Sequence, residues 1–391
     1  MDGSLWKSIL LFLCVGLAVY SIINLKQRAV KIGVWKDGED DPILTPDMYR
    51  KAGADIPPKK AGEKRIVWVM ISYLPNVRAG SELTAEDQIA FLQKKGWTIY
   101  VLVTRWVVPE HRGVKIYPIQ AGRVFDSPHI EALYKSADLI CLQNYSLSDF
   151  SLQVSHIPRP IVVFIHSHHD NKDILNFRME TPIYVVYNVN FIKLESANLH
   201  PSIVIHPKVE TAPFRVSKKN AKYVTLINCN DNKGGAILIK LAEALPDIQF
   251  LGIKGGYSGQ IIADPRPPNL TYMETQTDMR NVYEKTKVLI VPSKTETWGR
   301  VAVEGMASGT PVVVSRSPGL LECVGKSENS CDRADISCWI DKINKLMTDE
   351  KAYAEASALS KERVAELDTE KEYERLNTFL EDAAKRHMDK E

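Results

Sequence analysis

The chain carries no excess of charge of either sign. Its 391 residues include 50 basic against 48 acidic side chains, a formal net charge of +2. A nucleic-acid binder leaves a strong basic footprint, so no nucleic-acid partner is expected. Cysteine is scarce, with six residues. None forms a C-x-x-C pair or completes a zinc pattern with histidine. Cys14 lies in an apolar run. Cys141, Cys229, Cys323, Cys331 and Cys338 read as buried free thiols, and the spacing of the last three leaves a disulfide open. Internal repeats and long low-complexity tracts are also lacking. What remains is an ordinary globular composition, 45% hydrophobic, in a chain longer than one core usually organises.

Residues Ser8 to Leu25 contain no charge and are dominated by Leu, Ile, Val and Phe. That length is just enough to span a bilayer core of roughly 30 Å. The segment reads as a single-pass N-terminal membrane anchor. A cleaved signal peptide is the alternative, but Val19-Tyr20-Ser21 supplies a poor cleavage site. Lys26, Arg28 and Lys31 follow the segment while only Lys7 and the terminal amine precede it. The positive-inside rule therefore favours a cytosolic face for the rest of the chain. Two sequons, Asn144-Tyr145-Ser146 and Asn269-Leu270-Thr271, matter only in a lumenal domain. Residues 1–30 are taken as the anchor. The polar, Gly- and Pro-broken stretch 31–64 is taken as a stem.

Beyond the stem, short apolar runs alternate with helical stretches. Strands are expected at Ile66 to Ile71, Ile99 to Thr104, Leu139 to Leu142, Ile161 to Ile165, Ile183 to Tyr187 and Ser202 to Ile205, with a helix from Leu83 to Lys95. The pattern restarts near Tyr223. Strands are expected at Val224 to Asn228, Ile248 to Ile253, Val288 to Val291 and Pro311 to Ser315. Helices are expected at Gly235 to Ala244, Met279 to Glu284 and Val301 to Ala307, and Ile336 to Lys390 is helical in composition. Continuous apolar strands alternating with helices predict parallel sheets covered on both faces. The fold class is thus α/β: two Rossmann-like domains, 65–207 and 208–350, with an intervening cleft and C-terminal helices over 351–391. Ligands in such sheets bind beyond the carboxyl ends of the strands.

The stretch from Pro292 to Val313 is the most informative. A strand ends, a polar loop presents Glu296, and a helix begins near Gly299. The amides of Thr297, Trp298 and Gly299 would point out of that helix start, where the dipole favours phosphate. Gly299 removes a side chain that would block close approach. Glu304 is placed to reach ribose hydroxyls, which leaves Glu296 near the sugar. The bland alternative makes Glu296 a dipole-stabilising carboxylate and Glu304 a solvated helical residue.

Glu296 and Glu304, with Pro292-Ser293 before them and Gly309-Thr310-Pro311-Val312-Val313 after, resemble the paired-glutamate signature of retaining family 4 glycosyltransferases (glycosyl transferases group 1). The resemblance implies the GT-B fold, with Glu296 on donor-sugar hydroxyls and Glu304 on the ribose. It also implies metal-independent transfer with no cofactor. Lys233 in Asn230-Asp231-Asn232-Lys233-Gly234-Gly235 matches the family lysine that neutralises the donor diphosphate. Many relatives carry an arginine a few residues upstream, where this chain has Ile227, Asn228 and Cys229. Ala79-Gly80-Ser81-Glu82 resembles a degraded glycine-rich loop, with Gly80 and Ser81 amides facing the phosphates. In Ile165-His166-Ser167-His168-His169-Asp170, His166 is the first choice for a group near the anomeric carbon, and a metal held by His-x-His-His-Asp is the lesser reading. Val186 to Phe191 and Ile205 to Glu210 resemble the domain hinge. Lys254 is expected to face the nucleotide and Met279 the base.

The expected activity is therefore retaining transfer of a sugar from a nucleoside-diphosphate-sugar donor to a hydroxyl of a sugar, lipid-linked or protein-linked acceptor. A membrane-tethered GT-B protein that has lost catalysis and serves as a binding scaffold is the alternative.

Overall fold

The computed structural model describes residues 44–75, 77, 79–105, 108–120, 127–144, 157–167, 181–255, 259–325, 328–367 and 369–388. The apolar segment Ser8 to Leu25 lies outside them, as do His168, His169 and Asp170. Among the described residues no helix is long and apolar enough to cross a membrane.

A short helix α1 (Pro46–Lys51) leads to the first sheet. The chain then runs β1 (Lys64–Met70), α2 (Gly80–Lys94), β2 (Trp97–Val103), β3 (Glu110–His111), β4 (Val114–Pro118), α3 (Pro128–Ser136), β5 (Leu139–Gln143), β6 (Ile161–Ile165), β7 (Ile183–Tyr187), α4 (Asn190–Glu195) and β8 (Ser202–Val204). The sheet order is β3-β4-β2-β1-β5-β6-β7-β8, parallel except for the β3–β4 hairpin. Every residue of β5, β6 and β7 is buried, as expected for apolar runs covered on both faces. The expected strand over Ile183 to Tyr187 is followed by a helix, α4, which begins at the end of the segment Val186 to Phe191 read as a hinge.

The second sheet is built from β9 (Tyr223–Ile227), α5 (Gly235–Ala244), β10 (Phe250–Ile253), β11 (Leu270–Met273), α6 (Arg280–Tyr283), β12 (Thr286–Val291), α7 (Arg300–Ala307), β13 (Val312–Ser315), α8 (Pro318–Val324) and β14 (Ser330–Cys331). All its pairings are parallel, in the order β11-β10-β9-β12-β13-β14. From β9 the chain leaves through α5 towards β10, and from the adjacent β12 it leaves through α7 in the opposite direction, to β13. Loops that diverge from neighbouring strands open a crevice at their carboxyl ends. This switch point fixes where a ligand can sit.

Three helices follow: α9 (Ile336–Thr348), α10 (Glu350–Glu366) and α11 (Thr369–Met388). The first two pack on the second domain, where Ser357 Oγ donates to Gly309 O at 2.6 Å. The last returns to the first domain. Its Tyr373, Leu376, Leu380 and Ala383 are buried in one cluster with Ile66, Trp68, Ile89 and Leu92. Trp97 Nε1 donates to Asn377 Oδ1 at 2.9 Å, and Lys64 pairs with Glu381 at 2.9 Å. The two sheets with their covering helices form the α/β GT-B architecture expected from the sequence.

Cysteine usage divides. Cys141, Cys229 and Cys323 are buried thiols, whereas Cys331 and Cys338 form a disulfide. Asn269, the first residue of a sequon, is 4% exposed. Its amide nitrogen donates to the carbonyls of Ala242, Leu245 and Ile248, each at 2.9 Å. The side chain closes the end of α5, so the sequon is a structural asparagine and not a glycan acceptor in the folded chain.

Candidate functional site

The loops after β9 and β12 meet over the switch point, and they carry Lys233 and Glu296. The Lys233 ammonium is hydrogen-bonded directly to the Glu296 carboxylate. Both side chains are largely enclosed, at 20% and 16% exposure. Each asparagine of the Asn230-Asp231-Asn232 run has a task. Asn230 Oδ1 accepts from the Lys233 amide at 2.8 Å. Asn232 holds the facing loop: its Oδ1 accepts from the Thr295 amide at 3.1 Å, its Nδ2 donates to Thr295 O at 3.2 Å, and its own carbonyl accepts from the Lys294 amide at 2.7 Å. Gly234, at φ +97°, lies so close to Pro292 that a Cβ would stand 2.6 Å from its Cγ. The loops are therefore in contact through backbone as well as side chain.

Glu296 continues into the start of α7. Gly299 sits there with φ +84°, where any Cβ would be 2.6 Å from Leu320 Cδ2. Among the described residues the amides of Thr297, Trp298 and Gly299 donate to no protein acceptor. Unsatisfied amides at the positive end of a helix dipole form an anion site. Gly319 seals the other side: its Cβ would lie 2.1 Å from Thr297 O and 2.4 Å from Glu296 O. The Trp298 side chain turns away, 3% exposed and stacked on His206 of the first domain at 4.6 Å between ring centroids. Glu304 is not a solvated helical residue. Tyr283 Oη donates to its Oε2 at 2.8 Å, and burial raises its pKa even though that hydroxyl and the Arg300 charge lower it.

The first domain presents its own switch point, between β1 and β5. Gly80 opens α2, and a Cβ on it would be 3.9 Å from Arg300 Cδ, so the starts of α2 and α7 face each other. The Ser81 hydroxyl donates to Glu82 Oε2 at 2.7 Å, and Ser81 O accepts from Gln143 Nε2 at 2.8 Å. His166 directly follows β6, and burial lowers its pKa to about 4. The ring is neutral at physiological pH, able to exchange a hydrogen bond but not to supply charge.

Two further expected donor contacts, Lys254 and Met279, have protein partners of their own. Lys254 leaves β10, one strand beyond β9, and pairs with Glu274 at 2.6 Å on an exposed edge. Met279 precedes α6 and packs both with Leu251, Ile253 and Val282 and against the cluster that contains Tyr283, Trp298 and Ala302. Three groups carry no signal in the sequence. Arg300 Nη1 donates to Lys208 O at 2.6 Å and approaches Asp87 at 3.5 Å, which ties α7 to the crossing segment and to α2. Glu322 of α8 accepts from the Asn190 amide and from His206 Nε2, each at 2.8 Å, again across the domains. Arg333 reaches both loops of the site. Such contacts depend on tertiary closure, and no local pattern announces them.

The fold and this site define a class: a GT-B protein with a helix start of unpaired amides and a Lys–Glu pair in its second domain. Residues 268–363, which contain Glu296 and Glu304, match the family described as Glycosyl transferases group 1. The D-inositol 3-phosphate glycosyltransferase of Mycolicibacterium smegmatis is 30% identical over 188 residues, covering 41% of this chain and 43% of that protein. The chain thus spans less than half the length of the curated relatives it matches. Among solved structures, Anabaena HepE in complex with UDP and glucose has a TM-score of 0.66 at 16% identity, covering 82% of this chain and 100% of that one. A glycosyltransferase from Rickettsia africae has a TM-score of 0.63 at 12% identity, covering 82% and 99%.

Proposed function

We propose that this protein is a retaining glycosyltransferase that takes a sugar from a nucleoside-diphosphate-sugar donor and passes it to a hydroxyl acceptor. One observation carries the reading: Lys233 and Glu296 meet at the switch point beside the three unsatisfied amides that open α7. The amides and the Lys233 ammonium together suit a diphosphate. Glu296, released from Lys233 when phosphate takes the ammonium, is left to hold sugar hydroxyls. Charge that grows on the departing phosphate is met by groups already in place, the form of stabilisation that acts most on the transition state. The leaving phosphate can take the acceptor proton, so no enzyme nucleophile is required.

The UDP and glucose bound by the Anabaena protein support a uridine donor. The glycosyltransferase activity of the curated relatives supports transfer over the scaffold alternative. The acceptor is a sugar, lipid-linked or protein-linked hydroxyl entering from the first domain, with His166 near the reacting carbon. We further place the protein at a membrane through Ser8 to Leu25. The Cys331–Cys338 disulfide supports an oxidising face for the catalytic domains, opposite to the one that the flanking charges favour.

The test is a thermal-shift screen of the chain against UDP, GDP, ADP, CMP and their sugar conjugates, followed by a transfer assay with whichever donor binds. A selective rise for one nucleotide, as ligand linkage requires, with transfer that keeps the anomeric configuration, is the expected result. Inversion of configuration would refute the retaining course, and no shift with any nucleotide would refute the donor site.

A further inference from the structure

Of Ile227, Asn228 and Cys229, the residues that stand where many relatives carry an arginine, Asn228 is the polar one, and its side chain is engaged. Asn228, five residues before Lys233, sits at φ +68°. Its Oδ1 accepts from Gln260 Nε2 at 3.0 Å, and the Gly255 backbone is pressed against it so closely that a Cβ there would be 2.3 Å from Asn228 Cγ. Gln260 Oε1 in turn accepts from the Gly255 amide at 2.8 Å. The residue is committed to joining the ends of β9 and β10.

A guanidinium reaches the site from elsewhere. Arg333 lies between β14 and α9, in the short loop closed by the Cys331–Cys338 disulfide. Its Nε donates to Pro292 O at 2.9 Å and its Nη2 to Asp231 O at 2.7 Å. Pro292 opens the loop that carries Glu296, and Asp231 stands two residues before Lys233. One planar fork therefore spans the backbones of both loops, a geometry that arginine supplies and lysine does not. The base of the fork is fixed by its surroundings. Trp339 Nε1 donates to Asp332 O at 3.1 Å, and Asp335 caps α9 by accepting from the Cys338 amide at 3.1 Å.

We propose that Arg333 is a positioning residue for the Lys233–Glu296 pair, held in place by the Cys331–Cys338 disulfide, so that reduction of the disulfide releases the pair from its catalytic geometry. The proposal rests on the reading of Lys233 and Glu296 as the donor-site pair. It acts on turnover more than on donor binding. The α7 amides, which Arg333 does not touch, still hold the phosphates, while a displaced Lys233 no longer meets the charge that develops on them.

Arg333→Gln, Arg333→Lys, Lys233→Ala and the wild-type chain are compared, oxidised and after dithiothreitol, for melting temperature, UDP-induced thermal shift, and kcat and KM with a UDP-sugar. Arg333→Gln is expected to keep its UDP shift and most of its KM while kcat falls on the order of 10²-fold, as misplacement of a catalytic group does. Arg333→Lys, which can serve one carbonyl at a time, should fall between, and it carries the comparison if the Gln variant folds poorly. Reduction should impose the same kcat loss on the wild type, reversibly, and add nothing to Arg333→Gln. Wild-type turnover in Arg333→Gln, or an equal further loss when that variant is reduced, overturns the proposal. Full turnover in Lys233→Ala would instead sink the reading of the pair itself, which separates the two failures.

Discussion

At the scale of single residues, the candidate site is where the sequence is most readable. Glu296, Lys233 and Gly299 stand in local patterns whose spacing reflects a strand end, a turn and a helix start, and the structure brings the three together. Lys254 and Met279 are suggested by position along the chain alone; Lys254 pairs with Glu274, and Met279 packs among apolar side chains that include Trp298. Asn232 and Arg333 are illegible because each acts on loop backbone between 41 and 102 residues away, where residue type gives no hint of the partner. If the Lys233–Glu296 pair does the chemistry proposed, Lys233→Ala and Glu296→Gln should each lower kcat by on the order of 10²–10³-fold, the usual effect of removing one preorganised charge-stabilising group. Their melting temperatures should stay within a few degrees of wild type, because the pair is open to solvent at one side. A transfer assay beside a thermal melt checks both halves. Wild-type turnover in either variant would remove that residue from the site.

At the scale of elements, the long apolar strands follow from their composition, and β6 and β7 span the ranges expected. Elements without a clear sequence signal are short or half polar. In β11 only Leu270 of four residues is buried, because the strand lies at the sheet edge, where one covered face suffices. The β3–β4 hairpin and β14 likewise sit at edges. Where an element must approach another closely, glycine is the trace left in the sequence. Gly235 starts α5 against the preceding loop, and its Cβ would stand 2.2 Å from Cys229 O, a backbone atom that cannot swing aside. Gly235→Ala is thus expected to cost roughly 1–3 kcal/mol, the range for overpacking, and to displace the loop that carries Lys233. Urea unfolding reads the first effect, and a fall in kcat with the UDP-induced thermal shift kept reads the second. Asn269→Ala tests a different bond within the same element. Three carbonyls at and just beyond the end of α5 lose their donor, at about 1–3 kcal/mol, and mass spectrometry of the wild-type chain made with its catalytic domains on the lumenal side should find Asn269 without glycan.

At the scale of the molecule, the two domains are joined by a contact that titrates. His206, in the crossing segment, bonds Glu322 of α8 at 2.8 Å and lies 3.9 Å from Glu372 of α11, which Arg375 also pairs at 2.9 Å. Burial lowers the His206 pKa, but hydrogen bonds and charge from the two glutamates outweigh it and raise the value to about 9. The imidazole of the unfolded chain titrates near 6.5. A group whose folded pKa is raised contributes stability that is fully present below the unfolded value and lost as pH climbs through the folded one. The window is therefore about 6.5 to 9. Over it the wild-type chain should lose stability, since deprotonation strips the charge that holds α8 and α11 to the hinge and leaves two carboxylates facing a neutral ring. His206→Asn should show a flatter profile over the same range, with a lower melting temperature at pH 6.5 that converges on the wild type near pH 9. Parallel profiles would remove His206 from the link. Because the same ring stacks on Trp298, two residues from Glu296, the link reaches the loop proposed to hold the donor. Donor KM in the wild type should therefore rise across that window, and in His206→Asn it should stay level.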